Sequence, residues 1–391
     1  MIFNKQKFLP YGKHHLTKRD IFSLFKVLKG PNLTQGDYVP TFEKSLSKKV
    51  NSKYAVAVNS ATSALHLICL ALNLKKNDWL WTSANTFVAS ANCGRYCDAS
   101  VDFVDINPNT GLICVDALER KLKIAKNNNK LPKIFVAVHF AGASCDMERI
   151  WDLSKKYNFK IIEDASHALG GHYKGHIVGK CEYSIATVFS FHPVKILTTG
   201  EGGAITTNDR NLAQKISLLR SHGITKNPAE FENEFYNEWS YEQKFLGFNY
   251  RMSDIHASLG ISQLKRLDKI VEERNKQFKY YELILKDLPV NLLEIPPQVK
   301  STIHLAIIRL SNKDVSFHKE IFSSLRSAKI GVQVHYSPVH LHPYYKKLGF
   351  KEGDFPNAEF HANNSITIPL YIGLSTRDQD RVAKKLKSLL L

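Results

Sequence analysis

The chain has 391 residues, 43% hydrophobic and 23% charged. That is ordinary for a globular protein and too long for one small core, so a large domain and a smaller one are expected. No apolar run approaches the ~20 residues of a membrane-spanning helix, and the amino-terminal MIFNKQKFLPYGKHH has lysines but no apolar signal core, so neither integral membrane association nor a secretion signal is expected. The formal net charge of +18 raises nucleic acid as a partner. However, the basic residues are dispersed along helical patterns (Lys121, Lys123, Lys126; Lys155, Lys156; Lys384, Lys385, Lys387), with no helix-turn-helix or RNP-like motif. A solvated basic surface, or an anionic small-molecule substrate, is expected instead.

In chain order, short apolar runs alternate with helical patterns through the first two thirds. Strands are predicted at residues 55–58, 79–82, 101–104, 134–138, 160–163, 186–189 and 204–207, with helices such as 63–72 and 147–157 between them. Alternating β and α units imply a mostly parallel, seven-stranded α/β sheet covered on both faces. Ligands of such sheets sit outside the carboxyl ends of the strands. From Gly260 the pattern turns helical, and apolar residues at 261, 264, 267, 270 and 271 predict one helix leading out of the large domain. A smaller α+β domain follows, with a strand near 302–310, a helix near 317–328 and a strand near 331–335. The division expected is residues 1–265 for the large domain and 266–391 for the small one.

The six cysteines (Cys69, Cys93, Cys97, Cys114, Cys145, Cys181) form no C-x-x-C pair and lie in apolar segments. This is the pattern of reduced, buried thiols in a cytoplasmic protein. Cys93 and Cys97 share a helix face by spacing but lack further zinc ligands. His335, His340 and His342 cluster in sequence without an acidic neighbour, so no metal is expected.

Chemistry is signalled most strongly at Lys195. It follows the β-type segment 184–190, just before the glycines Gly200, Gly202 and Gly203. Asp164 ends the apolar run 160–164. A carboxylate and a lysine at the ends of two predicted strands are what pyridoxal phosphate requires, the lysine for covalent attachment and the aspartate to hold the pyridine nitrogen protonated. Thr62 and Ser63 open a predicted helix, where they serve as caps or, with free N–H groups and the helix dipole, cup a phosphate. The segment 200–203 is no nucleotide P-loop, because no Gly-Lys-Ser/Thr follows. Phe87 suits the core or a flat cofactor ring. His167 suits the core or a cofactor oxygen.

These segments resemble the DegT-type sugar aminotransferases. The resemblance runs through LTQG (33–36), NSATSAL (59–65), EDASHALG (163–170), FSFHPVK (189–195), TGEGG (199–203), LRSHG (219–223), GFNYRM (247–252) and SLGISQL (258–264). It implies a type I pyridoxal-phosphate transferase fold of the aspartate-aminotransferase kind, with a smaller C-terminal α+β domain. It makes Lys195 the attachment lysine and Asp164 the partner of the pyridine nitrogen. Thr62, Ser63 and Ser190 become phosphate ligands, Phe87 the stacking aromatic, and His167 the neighbour of the 3-hydroxyl. Asn249 becomes an asparagine reaching the phosphate of a second subunit, which implies a homodimer. The wording at 59–63, 166–170 and 333–336 favours members that move an amino group from L-glutamate to carbon 4 of a UDP-linked 4-keto-6-deoxy sugar. His335 and Tyr336 are then candidates for the sugar-nucleotide end, with Arg251 as a charge partner. Related dehydratases carry histidine in place of the lysine, and Lys195 argues against that chemistry. Ala61 stands where many members have glycine, which bears on the path of the phosphate loop. The alternatives are another nucleotide-sugar or cyclitol aminotransferase and, in a different class, a non-enzymatic regulator.

Overall fold

All seven predicted strands join one sheet in the computed structural model, which describes residues 7–233, 237–311 and 314–391. The amino-terminal stretch read for a leader begins outside them, at residues 1–6. Helices α1 (Lys18–Leu28) and α2 (Tyr38–Val50) come first, α1 opened by a reciprocal cap between Thr17 and Asp20. Then follow β1 (Tyr54–Val58), α3 (Ala61–Ala71), β2 (Trp79–Ser83), α4 (Ala89–Arg95), β3 (Ser100–Val104), α5 (Val115–Asn127), β4 (Ile134–Val138), α6 (Met147–Tyr157) and β5 (Lys160–Asp164). A small hairpin, β6 (His172–Tyr173) and β7 (His176–Ile177), leads to β8 (Ala186–Ser190), β9 (Gly203–Thr207) and α7 (Arg210–Arg220).

The sheet order is β1-β9-β8-β5-β4-β2-β3. Pairing is parallel from β8 through β3, and β9 alone among these strands runs against its neighbours β8 and β1. Successive side chains point to opposite faces. Along β4, Phe135 and Ala137 pack with Trp81, Leu118 and Ile150 on one side, while Val136 and Val138 pack with Leu65, Ile68 and Ile216 on the other. Both faces are therefore covered, which is why these strands read as continuous apolar runs. The antiparallel β9 matters for the site. An antiparallel pair needs no crossover helix, so the loop between Ser190 and Gly203 stays at the carboxyl edge of the sheet, and it carries Lys195.

A two-stranded ribbon, β10 (Ile224–Thr225) and β11 (Glu242–Gln243), precedes α8 (Asp254–Leu264) and α9 (Leu267–Leu285). The single helix expected across 261–271 is two helices. Arg266 departs from helical geometry at φ −116°, ψ 13°, and its guanidinium reaches the fully buried Asp20 at 2.8 Å and the His15 carbonyl at 2.6 Å. Arg266 supplies the cation for Asp20, which also accepts from Thr17 and Ser262. The start of α9 (Leu267, Ile270, Val271) packs with Phe42 and Phe189, whereas Phe278, Tyr281 and Leu285 enter a separate core with Ile308, Leu325 and Val382.

That second core belongs to a sheet of order β12 (Val290–Leu292), β14 (Ala306–Leu310), β15 (Ser365–Ile368), with α10 (Val315–Ser327) and α13 (Thr376–Leu390). Between them lie β13 (Val299–Lys300), which pairs with β6, and the short helices α11 (Pro343–Lys346) and α12 (Pro356–Asn364). The strand expected over 302–310 begins later, at Ala306. The Thr302 and His304 amides are taken instead by the carbonyls of Gly142 and Ala141. The strand expected at 331–335 makes only isolated bridges, such as Gln333 with Thr367, before turning toward the main sheet, where the Tyr336 amide donates to Asn85 Oδ1 at 3.0 Å. Among the described residues no helix is long and apolar enough to cross a membrane.

Candidate active site

The carboxyl ends of β4, β5 and β8 and the start of β9 meet at one cavity of about 350 Å³, near the lower end of the range typical for small-molecule sites, about 300–1,000 Å³. The register places Asp164 beside Val138 and Val188, and Gly203 beside both Ser190 and Val58. Of the predicted site residues, Thr62, Phe87, Asp164, His167, Ser190, Lys195, His335 and Tyr336 line the cavity.

Lys195 is held by a tight loop in which its amide donates to the His192 carbonyl at 2.9 Å and Phe191 bonds both Gly202 and Thr199. Gly200 takes φ +87°, which favours glycine. Burial pushes the Lys195 ammonium down to about 8, with the charge of Asp164 opposing. The amine is thus partly neutral near pH 7, as a nucleophile must be. Asp164 is buried. Its Oδ2 accepts from Ser90 Oγ at 2.6 Å, and its Oδ1 accepts from Ser166 Oγ at 2.6 Å and the Ser166 amide at 3.1 Å. Neither serine was visible as a site residue in the sequence, yet together they fix the carboxylate's orientation. On the opposite sheet face the adjacent Glu163 accepts from Ser184 and pairs with buried His139 at 2.7 Å.

The start of α3 forms another wall through Ser60, Ala61 and Thr62. Ser60 is the N-cap, extended at φ −164°, and accepts from the Ser63 amide at 3.1 Å. The Ser63 hydroxyl donates to Asn59 Oδ1 at 2.6 Å and does not line the cavity, so the expectation for Ser63 shifts to Ser60. Ala61 is the first helical residue and needs no left-handed backbone, so the loop closes without a glycine there. The glycine is required across from it. A Cβ on Gly203 would lie 2.5 Å from the Ala61 nitrogen and the Ser60 carbonyl carbon.

The remaining wall is aromatic and imidazole. Phe87 is 58% exposed at the rim, its ring 6.2 Å from that of Tyr336. His167 Nε2 lies 3.2 Å from the Tyr336 hydroxyl, and its ring is 4.4 Å from that of His304. Burial, with Lys195 and His335, holds His167 neutral, well below its ordinary range. His335 is pushed down to about 3 by burial and by Lys195, and its Nδ1 meets Thr367 Oγ1 at 2.8 Å. His304, Tyr11, His192 and Glu201 also line the cavity. His192 and Glu201 fall within the motifs around Lys195, whereas Tyr11 and His304 carry no local motif, and His304 arrives through the 302–305 detour that displaced the predicted strand.

Asn249 and Arg251 lie outside the cavity lining. Asn249 is exposed and bridges Ser221, and Arg251 donates to Ser221 Oγ at 3.1 Å. His340 does have an acidic partner: it is fully buried against Glu359 of α12 at 2.8 Å.

The cavity fits pyridoxal phosphate in its donors. A helix N-terminus offers amides to an anion, a fixed carboxylate stands at a strand end, and a lysine with lowered pKa faces both. In addition, His167 Nδ1 is buried with no hydrogen-bond partner among the described residues. Fold and cavity together define a pyridoxal-phosphate-dependent enzyme of the type I transferase class. More particularly, the chain belongs to the DegT/DnrJ/EryC1/StrS aminotransferase family, whose profile matches residues 15–387. It is therefore an aminotransferase, and the regulator reading falls away. A Campylobacter jejuni protein named UDP-4-amino-4,6-dideoxy-N-acetyl-beta-L-altrosamine transaminase is 40% identical over 383 residues, 98% of this chain and 97% of its own. The solved Helicobacter pylori PseC, described as an aminotransferase of pseudoaminic acid biosynthesis, is 33% identical with a TM-score of 0.89, covering 98% of this chain and 99% of that one. A Streptococcus pneumoniae protein described as a sugar aminotransferase, solved in its PLP form, is 28% identical with a TM-score of 0.88 and covers 98% of both chains.

Proposed function

We propose that this enzyme transfers an amino group from L-glutamate to carbon 4 of a UDP-linked 4-keto-6-deoxy-N-acetylhexosamine, giving UDP-4-amino-4,6-dideoxy-N-acetyl-beta-L-altrosamine for pseudaminic acid synthesis. The observation that carries this is the 40% identity, across almost the whole of both chains, to a transaminase named for that product, combined with a cavity whose reactive groups are Lys195 and Asp164.

Pyridoxal phosphate, when bound, supplies the electron sink that stabilises negative charge at the reacting carbon. The α3 amides at Ala61 and Thr62, with Ser60 and Ser190, would hold its phosphate. Asp164, fixed by Ser90 and Ser166, would keep the pyridine nitrogen protonated. Phe87 would cover the ring and His167 would meet the 3-hydroxyl. Lys195 Nζ, freed when the donor binds, takes the proton from the donor's α-carbon and later delivers one to carbon 4 of the sugar. Its lowered pKa favours that work, since about a tenth is neutral at pH 7, against roughly one in 3,000 for an ordinary lysine.

The exposed position of Asn249 suits a reach into a second subunit's site, so the working assembly is a homodimer with shared sites. The two-domain division is placed within α9, between Val271 and Phe278, instead of at residue 265, because Leu267, Ile270 and Val271 still pack with Phe42 and Phe189. The absence of disulfides among six free cysteines suits a cytoplasmic enzyme.

The test is incubation with L-glutamate and each of two C5-epimeric 4-keto sugars, with products followed by NMR. The L-arabino epimer gives the altrosamine. Conversion of the D-xylo epimer alone, or of a 3-keto dTDP sugar alone, overturns the substrate assignment.

A further inference from the structure

The amino-terminal arm, residues 7–17, takes no part in the chemistry above, yet it is pinned across the cavity. Leu9 is buried in the core of the C-terminal sheet. Its amide donates to the Lys329 carbonyl at 2.9 Å, and its carbonyl accepts from Gly331 at 2.6 Å. The Tyr11 carbonyl accepts from the Leu370 amide at 3.0 Å. Gly12 runs alongside Val194, next to Lys195. Farther on, the His15 carbonyl accepts from Gln263 and Arg266 at the α8–α9 break. The arm thus ties the C-terminal core to the large sheet's helices, and between its anchors it presents Tyr11 to the cavity.

Tyr11 stands against His335, ring centroids 5.5 Å apart, on the wall that also carries Tyr336. Three polar groups of the lining already have partners: Tyr336 in His167, His335 in Thr367, and Asp164 in Ser90 and Ser166. Among the described residues the Tyr11 hydroxyl makes no hydrogen bond. Burial raises its pKa above the ordinary phenol value, so it remains a donor. A cofactor held by the α3 terminus and by Asp164 leaves the arm side of the cavity to the substrates. Of these, glutamate offers carboxylates, whose natural partners are cations, whereas the sugar offers hydroxyl and acetamido groups, which a phenol matches.

Resting on the functional reading above, we propose that Tyr11 is a specificity-determining residue for the acceptor sugar, its hydroxyl bonding a hydroxyl or acetamido group of the hexose ring in the second half of the reaction.

Tyr11→Phe keeps the ring and its packing on His335 and removes the hydroxyl alone. The two half-reactions are measured separately by stopped-flow absorbance, and UDP-N-acetylglucosamine binding to the holoenzyme is measured by calorimetry. The keto-sugar half-reaction is expected to lose about tenfold in kcat/KM, with nucleotide-sugar affinity falling alongside it. The glutamate half-reaction and the cofactor spectrum should stay within about twofold. Equal losses in both halves would overturn the proposal, making Tyr11 a support for Lys195, and no loss in either would reduce it to a wall of the cavity. Calorimetry reads Tyr11 whichever amino donor the enzyme uses. Failure of the wild-type protein to use glutamate therefore counts against the functional reading, and an unchanged sugar affinity in Tyr11→Phe counts against this one.

Discussion

Lys195 is worth more to the reaction than to the fold, and the cost can be measured. Its ammonium is shifted from an ordinary 10.5 to about 8, chiefly by burial. A lysine whose pKa is lower folded than unfolded disfavours folding whenever it is protonated. The penalty is fully present below pH 8 and fades as the pH rises from there to 10.5. Its ceiling is about 3.4 kcal/mol. Solvent reaches the side chain through the open cavity, so screening reduces the effect to about 1–3 kcal/mol. Lys195→Met, close in length and uncharged, should therefore make the cofactor-free protein more stable at pH 7 while abolishing turnover. The gain should shrink steadily toward pH 10.5. Urea unfolding of both proteins at pH 7, 8.5 and 10 supplies the comparison. Packing differences between lysine and methionine do not depend on pH, so the decisive quantity is how the difference changes with pH. A difference that is constant across the series, or one that moves in favour of Lys195→Met toward pH 10, would refute the claim that burial of this charge shifts its pKa.

Two further expectations follow from the same cavity. Asp164→Asn keeps the Ser90 contact but removes the charge proposed to hold the pyridine nitrogen protonated, so kcat should fall at least about 10²-fold with the fold intact, checked by steady-state assay beside circular dichroism. Gly203→Ala places a Cβ 2.5 Å from backbone atoms of Ser60 and Ala61, pushing the start of α3 off by roughly an ångström. The loss of one charge-assisted bond to the phosphate should weaken cofactor affinity about 10- to 100-fold in an absorbance titration of the apoprotein, and unchanged affinity would remove α3 from the phosphate site.

The large sheet was legible because buried strands are spelled as apolar runs whose sides are both covered, and Ile161-Ile162 and Phe135-Val136 supply both faces at once. Strand direction is not spelled. Nothing local marks β9 as antiparallel, yet that reversal keeps the Lys195 loop on the reacting edge. Lys195 and Asp164 were legible because Asp164 ends its strand and Lys195 lies in the loop that follows its own, so motif and position coincide within a few residues. Ser63 was read as a phosphate ligand from its place at the helix start, and the closure of its hydroxyl on Asn59, which leaves Ser60 on the cavity wall, is not spelled locally. The break at Arg266 answers a charge on Asp20, 246 residues away in sequence, and no periodicity can register that.

Two of the residues missed share one origin. Tyr11 and His304 reach the cavity from segments whose own neighbours say nothing of catalysis, and each arrives because a backbone detour is held by another part of the chain. Gly142 and Ala141 draw in residues 302–305, and Leu370 and Lys329 fix the arm. The sequence therefore exposes the part of the site made by the sheet edge, which handles the cofactor and is local. It conceals the part made by the arm and the C-terminal core, which depends on tertiary contacts. Chemistry is consequently easier to read from this chain than specificity, because a substrate-facing wall can be rebuilt by shifting distant supports while Lys195 and Asp164 stay in place.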